Sequence, residues 1–410
     1  MENLPLKNLN FENLETNGVN LVDFGMQPVS NRFLVSDQEG EAPRFPLALR
    51  IREDIGLIYI EKPFPIEELK PRYDWLTCFE PEDHLDDLVK KIIDLPNISK
   101  ESIFGAYSFK DDSTLQRLER LGYNKTWRID PKKDLEIFDE CANVETYQFF
   151  LTNKSAKKII NRNGLADVLI VRHVVEHSYD LTSYIEFIKS LVKPGGYIVW
   201  ELPDCERALS NGDCTTIWEE HIYYFTSFTF RKVISQFNFD IIHFESVPYA
   251  LENSLIVIVK ESENAILKNL SESKEIEAEI IRANGFVQSI SLRKIKIKNK
   301  LKLLKEKYGT IAIFGAGHLT VAFISIMDIS DLIGLVIDDN PNKKGLKMPL
   351  GNLDIVGSEV LYTGDIKICL LGLNPQNQPK VIEKHKLFLD RGGMFASIFP
   401  QSFLDLDNIT

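Results

Sequence analysis

Val192-Lys193-Pro194-Gly195-Gly196-Tyr197-Ile198-Val199 reads as a helix end, a Pro-Gly-Gly turn and the start of a buried strand. Proline cannot continue a helix, glycine takes the left-handed conformation that closes one, and an apolar β-branched run suits a sheet with both faces covered. The unit repeats on either side. Strands are expected over residues 102–107, 126–129, 168–171, 197–201, 241–245 and 255–259. Helices between them carry apolar residues at helical spacing, as in Leu115, Leu118 and Leu121. This alternation over residues 86–260 predicts a βαβ sheet domain. The last two strands are joined too closely for a crossover helix and read as an antiparallel hairpin at the sheet edge.

Outward from this core the chain changes character. Residues 1–85 are rich in proline and short apolar runs such as Gly56-Leu57-Ile58-Tyr59-Ile60, the pattern of a small strand-bearing cap. Residues 261–308 are rich in Lys and Glu, with apolar side chains at Ile276, Ile280, Ile281, Val287, Ile290 and Leu292, and read as an amphipathic connector in which Gly285 is a candidate break. Fully helical, residues 272–306 would span roughly 50 Å at 1.5 Å per residue. Residues 309–410 open with Thr310-Ile311-Ala312-Ile313-Phe314-Gly315-Ala316-Gly317-His318, a strand running into a glycine-rich turn and a helix. A second strand there ends in carboxylates at Asp338 and Asp339, and further strands are expected at 366–371 and 394–399.

The 410 residues exceed one ordinary domain. A net charge of -12 argues against a nucleic-acid partner, which needs clustered Lys and Arg, but leaves room for a small anionic substrate in a locally cationic pocket. No apolar run approaches a membrane span and the N-terminus lacks a signal pattern, so a cytoplasmic protein is expected. Cys78, Cys141, Cys205, Cys214 and Cys369 stand singly, which fits a reducing compartment and disfavours a thiolate zinc site. His173 and His177 are spaced for a helical metal pair, but nothing near them in sequence completes a ligand set, so no metal is expected.

A Lys-Pro-Gly-Gly turn late in the sheet is found in many S-adenosylmethionine enzymes. Such a domain needs close backbone approach after its first strand and a carboxylate after its second for the ribose hydroxyls. Gly105 and Tyr107 after the first strand, and Asp130 and Pro131 after the second, are the candidates. The turn has a single glycine, so Gly105 can equally be an ordinary turn residue. Arg172 and His173 directly follow the apolar strand Val168 to Val171, at the end where open α/β sheets bind ligands. They join the cofactor candidates, against the alternative of a surface helix cap. Trp218-Glu219-Glu220-His221 places carboxylates beside an imidazole among aromatic residues. His221 is the candidate base and Glu220 its support; a solvated helix turn is the other reading of the same residues.

The chain resembles the bacterial C-methyltransferases that act on nucleotide-activated 4-keto-deoxyhexoses. The resemblance is nearly full length. It rests on Leu21-Val22-Asp23-Phe24-Gly25-Met26-Gln27-Pro28-Val29-Ser30-Asn31-Arg32-Phe33-Leu34, on Arg172 to His177, on Lys193 to Asp204, on Glu220-His221 and on Phe314-Gly315-Ala316-Gly317-His318. It implies an α/β fold: a class I methyltransferase Rossmann-like core with a small N-terminal cap and a C-terminal Rossmann-like domain that helps hold a nucleotide sugar. It also implies S-adenosylmethionine as cofactor and proton removal beside a keto group, giving an enolate that takes the methyl. The family's Tyr-x-Glu-His falls on Trp218 to His221, so His221 inherits the base role and Glu220 the supporting one. A hydroxyl would have to come from Tyr223 or Tyr224. Gln27, Asn31, His177, Trp218, Tyr223, Tyr224, Gly315, Gly317 and His318 are the expected substrate contacts. The family's four zinc cysteines are missing from the cap, where Arg52 and Ile55 stand near the second pair, so packing by Phe33, Leu47, Leu57 and Ile60 must replace the metal. Gly315-Ala316-Gly317 also begins many NAD-binding domains. Transfer to oxygen or nitrogen, and a non-catalytic protein that kept the fold, remain alternatives.

Overall fold

The structure, a computed structural model, describes residues 18–35, 42–73, 75–76, 80–262, 273–400 and 402–408. Cys78, the first residues of the cap and residues 263–272 of the connector lie outside them.

Three antiparallel strands, β1 (Gly18–Pro28), β2 (Arg44–Arg52) and β3 (Leu57–Ile60), form the cap meander. Phe33, Leu47, Leu57 and Ile60 are all buried. The β2–β3 turn is closed by an Arg52–Asp54 ion pair, and Ile55 is buried there.

The core follows as β4 (Phe104–Ala106), β5 (Thr126–Arg128), β6 (Ala166–Arg172) and β7 (Val192–Asp204), which pair in parallel in the order β5-β4-β6-β7. β6 is the centre of the sheet, and Val168 to Val171 are completely buried between helices on both faces. Its partner β7 starts five residues earlier than expected. The Lys-Pro-Gly-Gly turn lies inside the paired segment, where Gly195 takes φ +80 and a register shift absorbs the extra residues.

A two-residue strand β8 (Tyr223–Tyr224) then leaves the core and pairs with β3 of the cap. The core closes with the antiparallel pair β9 (Phe239–Val247) and β10 (Asn253–Glu261). The hairpin was expected, but not its placing: β10 inserts beside β7, leaving β9 at the edge. The central strand is the more apolar one, with Leu255 to Val259 buried, whereas β9 buries only Phe239 and exposes Asp240, Ile242 and Ser246.

The connector is an unbroken helix, Ser273–Tyr308, running straight through Gly285. Its buried stripe is Ala283, Phe286, Ile290, Ile297, Leu301 and Leu304, while Ile281 and Leu292 from the expected face are exposed. The helix touches all three units. A side chain at Gly56 of the cap would strike Glu279, and one at Gly212 of the core would strike Ser289. Arg293 donates to the carbonyl of Ile398 in the C-terminal unit (2.8 Å). That unit is an all-parallel sheet of β11 (Ile311–Phe314), β12 (Leu335–Ile337), β13 (Ile355–Val356), β14 (Ile368–Leu371) and β15 (Met394–Ser397), in the order β13-β12-β11-β14-β15. A two-way backbone bridge between Leu34 and Lys347 ties it to the cap (3.0 and 2.8 Å). No helix among the described residues is long and apolar enough to cross a membrane.

Candidate active site

The residues Trp218 to His221 form a tight turn between a short 3-10 helix (Cys214–Thr216) and β8, with Trp218, Glu219 and Glu220 buried and His221 half-buried. The Tyr224 hydroxyl locks it, accepting from the Trp218 amide (3.3 Å) and donating to the Trp218 carbonyl (3.1 Å). The His221 amide donates back to the same carbonyl (2.9 Å), and the Ile222 amide donates to the backbone carbonyl of Glu176 (2.8 Å). Glu219 and Glu220 are buried rather than solvated.

All three units meet at this turn. From the cap, the Ser30 amide and hydroxyl donate to Glu219 (2.5 and 2.9 Å), and Asn31 donates to Glu220 (3.0 Å). From the C-terminal unit, the His318 ring stacks on Trp218, with centroids 4.4 Å apart. From the core, His177 stands edge-on to His221 at 4.8 Å. A narrow cavity at the junction is lined by Asp213, Thr216, Trp218, His221, Glu252 and His318.

Electrostatics set the protonation states. Burial pushes the Glu219 carboxyl up to about 7, and burial with the neighbouring Glu145 and Glu219 charges carries Glu220 well above the usual range. Burial and the nearby His177 hold His221 well below its ordinary value. A neutral imidazole therefore stands next to a carboxyl that keeps its proton, an arrangement that can accept a proton at one atom and return one from the other.

The cofactor candidates divide. The carboxyl ends of β4 and β6 border the point where the chain reverses its direction across the sheet, the place where open α/β sheets bind ligands. Tyr107 lies there, buried, and its hydroxyl has no hydrogen-bond partner; the Tyr184 hydroxyl beside it has none either. Asp130 and Pro131 begin a one-turn helix at the end of β5, with the Asp130 carboxylate accepting from the Lys132 and Lys133 amides (3.0 Å each). Orphaned buried hydroxyls and a carboxylate at a strand tip fit a polar nucleoside, and Tyr107 and Asp130 would hold it. S-adenosylmethionine bound there supplies an electrophilic methyl group.

Gly105 has a different reason for being glycine. It sits within β4, and a Cβ would come within 2.5 Å of the Trp127 ring and 2.9 Å of Leu169, so packing excludes a side chain there. Arg172 is likewise spent on structure. It is completely buried, paired with Glu201 and donating to the carbonyls of Lys110 (2.6 Å) and Pro81 (3.0 Å). His173 lies among Glu80, Glu176 and Glu201, which raise it to about 10 against the burial cost. Neither reads as a cofactor contact.

Of the substrate candidates, Asn31, His177, Trp218 and His318 come together around His221. Gln27 does not. It lines a separate cavity with Phe24, Arg44 and Lys294 and donates to the Phe24 carbonyl (2.6 Å). The Tyr224 hydroxyl is spent on the lock described above, and the Tyr223 ring packs on Phe225. Gly315 takes φ +109 and closes on Gly372 of the neighbouring loop, and Gly317 precedes the helix His318–Met327. The turn between them is engaged internally: Asp338 accepts from the Ala316 amide (2.9 Å), and Lys343 donates to the Ala316 carbonyl (2.6 Å). Asp338 or Asp339 would be the carboxylate for an NAD ribose, and Asp339 is engaged too, accepting from the Ser358 amide (3.0 Å). Sequence reading gave Glu219 no separate role and missed Ser30, Asp213 and Glu252, which reach the site from turns apart in the chain, and Glu145 and Glu176, which flank His177.

Residues 110–244 match the methyltransferase domain family and residues 254–400 the C-methyltransferase C-terminal domain family. The chain is 20% identical over 394 residues to C-methyltransferase NovU of Streptomyces niveus, covering 93% of each. Among solved structures it is similar to 1,6-didemethyltoxoflavin-N1-methyltransferase of Burkholderia thailandensis (9% identity, 44% of this chain and 78% of that one, TM-score 0.29). It is also similar to magnesium protoporphyrin IX methyltransferase of Synechocystis PCC 6803 (14%, 43% and 81%, 0.28). At such TM-scores these two likenesses carry no weight. The two matched families and the sheet order make the chain an S-adenosylmethionine-dependent methyltransferase with a class I Rossmann-like core. Its C-terminal parallel-sheet domain makes it, more particularly, a C-methyltransferase.

Proposed function

We propose that the chain methylates a carbon next to a keto group on a nucleotide-linked deoxysugar, with His221 as the base and Glu220 as its support. One observation carries this reading: the turn bearing His221 is gripped by the cap through Asn31 and by the C-terminal domain through His318, with a cavity between the turn and the C-terminal domain. A half-buried neutral imidazole at that place can take a proton from a carbon acidified by an adjacent carbonyl. Glu220, which keeps its proton, can donate to the oxygen on which the enolate charge gathers. The C-terminal domain has the five-stranded parallel order of a nucleotide-sized fold, and its carboxyl edge at His318 and Leu319 borders the same cavity. Closing three units around the reacting atoms excludes water and aligns acceptor with methyl donor.

The test is turnover of nucleotide-linked 4-keto-deoxyhexoses by wild type and by His221→Ala, with the product read by NMR. A new C-methyl signal is expected from the wild type, and a loss of about 10²-fold or more from the variant. A methoxy or N-methyl product would replace carbon by oxygen or nitrogen as the acceptor, and near-normal turnover in the variant would remove His221 from the base role.

A further inference from the structure

We propose that Glu145, His177 and Glu220 form a binding site for a divalent first-row metal ion beneath the Trp218–His221 turn. One donor atom of each lies within 4.8 Å of those of the other two, and all three residues are buried. They come from separate places: the short helix Val144–Gln148, the 3-10 turn after β6, and the turn before β8. Modest side-chain adjustment would bring them to the ~2.0–2.2 Å that imidazole nitrogen and carboxylate oxygen need around a shared ion.

Two observations point to a ligand rather than a closed hydrogen-bond network. Both ring nitrogens of His177 and Oε1 of Glu145 lack hydrogen-bond partners, although Nδ1 and Oε1 stand 2.5 Å apart, close but not aligned. Both oxygens of Glu176 also lack them; its Oε1 lies 3.8 Å from His177 Nε2. Buried carboxylates in proteins are hydrogen-bonded, paired or on a metal, because an uncompensated one is costly. A cation shared by Glu145, Nδ1 of His177 and Glu220 would compensate two of them. It would also leave Nε2–H of His177 facing Glu176, the arrangement in which a carboxylate orients a metal-bound imidazole. One nitrogen with two carboxylates suits Zn²⁺, Fe²⁺ or Mn²⁺ better than the all-oxygen sites of Ca²⁺.

The binding stands apart from the methyl-transfer reading; only its consequence rests on it. Binding would displace the proton that Glu220 otherwise keeps, so in the ion-bound form Glu220 is a fixed support beside His221 and not a proton donor, and His221 is left as the free base of the group. Glu176, His177 and His221 form a neighbouring set that would instead take His221 out of proton transfer.

Full-length protein stripped with a chelator is titrated with Zn²⁺ by calorimetry and with Co²⁺ by visible absorption, without substrate. One Zn²⁺ per chain and Co²⁺ d–d bands are expected, with affinity falling about 100-fold in Glu145→Gln and His177→Gln and about tenfold in Glu176→Gln. Circular dichroism of each variant checks its fold, and Glu145→Gln carries the test if His177→Gln does not fold. Absence of binding by the wild type overturns the site. So does binding lost in His221→Gln but kept in Glu145→Gln, which puts the ion on the other set. Because no turnover is measured, either result leaves the methyl-transfer reading to its own experiment.

Discussion

The indole of Trp218 lies nearly flat on the imidazole of His318, with ring planes 18° apart, and through this contact the C-terminal sheet reaches the turn that carries His221. Burial holds His318 down at about 4, so the stacked ring is neutral. In the unfolded chain the same ring takes up a proton near 6.5. Between those values the unfolded state binds more protons, so stability falls as pH drops from about 6.5 towards 4. His318→Phe keeps an aromatic face and has nothing to titrate. Urea denaturation at pH 7 and pH 4.5 should show the wild type losing on the order of 2 kcal/mol more than the variant. Equal losses in both proteins would show that His318 is not buried against Trp218 in its neutral form.

Gly105→Ala separates packing from cofactor binding. With its Cβ forced against the Trp127 ring, the variant should lose roughly 1–3 kcal/mol of stability. Trp127→Leu in the same chain should restore part of it, since the smaller side chain vacates the clash. Folded Gly105→Ala should bind S-adenosylhomocysteine as the wild type does. An unchanged denaturation midpoint with weakened cofactor binding would return Gly105 to the cofactor.

These two residues show what the sequence could and could not tell. Strand positions, the hairpin, the connector and both parallel sheets were legible because buried strands are apolar runs between turn residues, and amphipathic helices repeat every three or four. The chemistry of Trp218 to His221 was legible because carboxylates, imidazole and aromatic residues crowd one short segment. Gly105 was misread because its constraint comes from Trp127 on the next strand, and no local pattern records a cross-strand clash. Arg172 looked like a ligand contact because it follows a buried strand, yet its partner Glu201 lies a strand away. Glu145 gave no signal, since a lone carboxylate in an irregular stretch becomes part of a site only when folding brings His177 to it.

Arg172 and Glu201 test that structural reading. Both are completely buried, and Glu201 also accepts from Ser254 (2.7 Å) and contacts His173 and His84 (3.1 and 3.2 Å). Arg172→Met strands a buried carboxylate and should cost about 3–5 kcal/mol. Adding Glu201→Gln removes the stranded charge, so the double variant should be more stable than the single one. Thermal denaturation of the set decides it. A stable Arg172→Met protein with impaired cofactor binding would restore Arg172 to the cofactor edge.

His173 carries the last prediction. It is a non-glycine residue at φ +51, held there while its ring reaches Glu201 at 3.1 Å, Glu80 at 3.5 Å and Glu176 at 3.7 Å. Lys110 and Arg172, the other cations facing this group, are bound to Glu80 (2.8 Å) and to Glu201, so the three carboxylates Glu80, Glu176 and Glu201 outnumber these two charges around the ring. They raise His173 from 6.5 to about 10 despite its burial. The folded state thus holds a proton that the unfolded chain has released by neutral pH. That contribution is complete below about 6.5 and is lost as pH rises to about 10. The wild type should therefore lose on the order of a few kcal/mol between pH 7 and pH 10. His173→Asn retains a residue type that tolerates the left-handed backbone but has no charge to lose. Its stability should start lower and change less over the same range. If wild type and variant run parallel from pH 7 to pH 10 in urea denaturation, His173 is not protonated in the folded protein and the carboxylates around it are neutralised some other way.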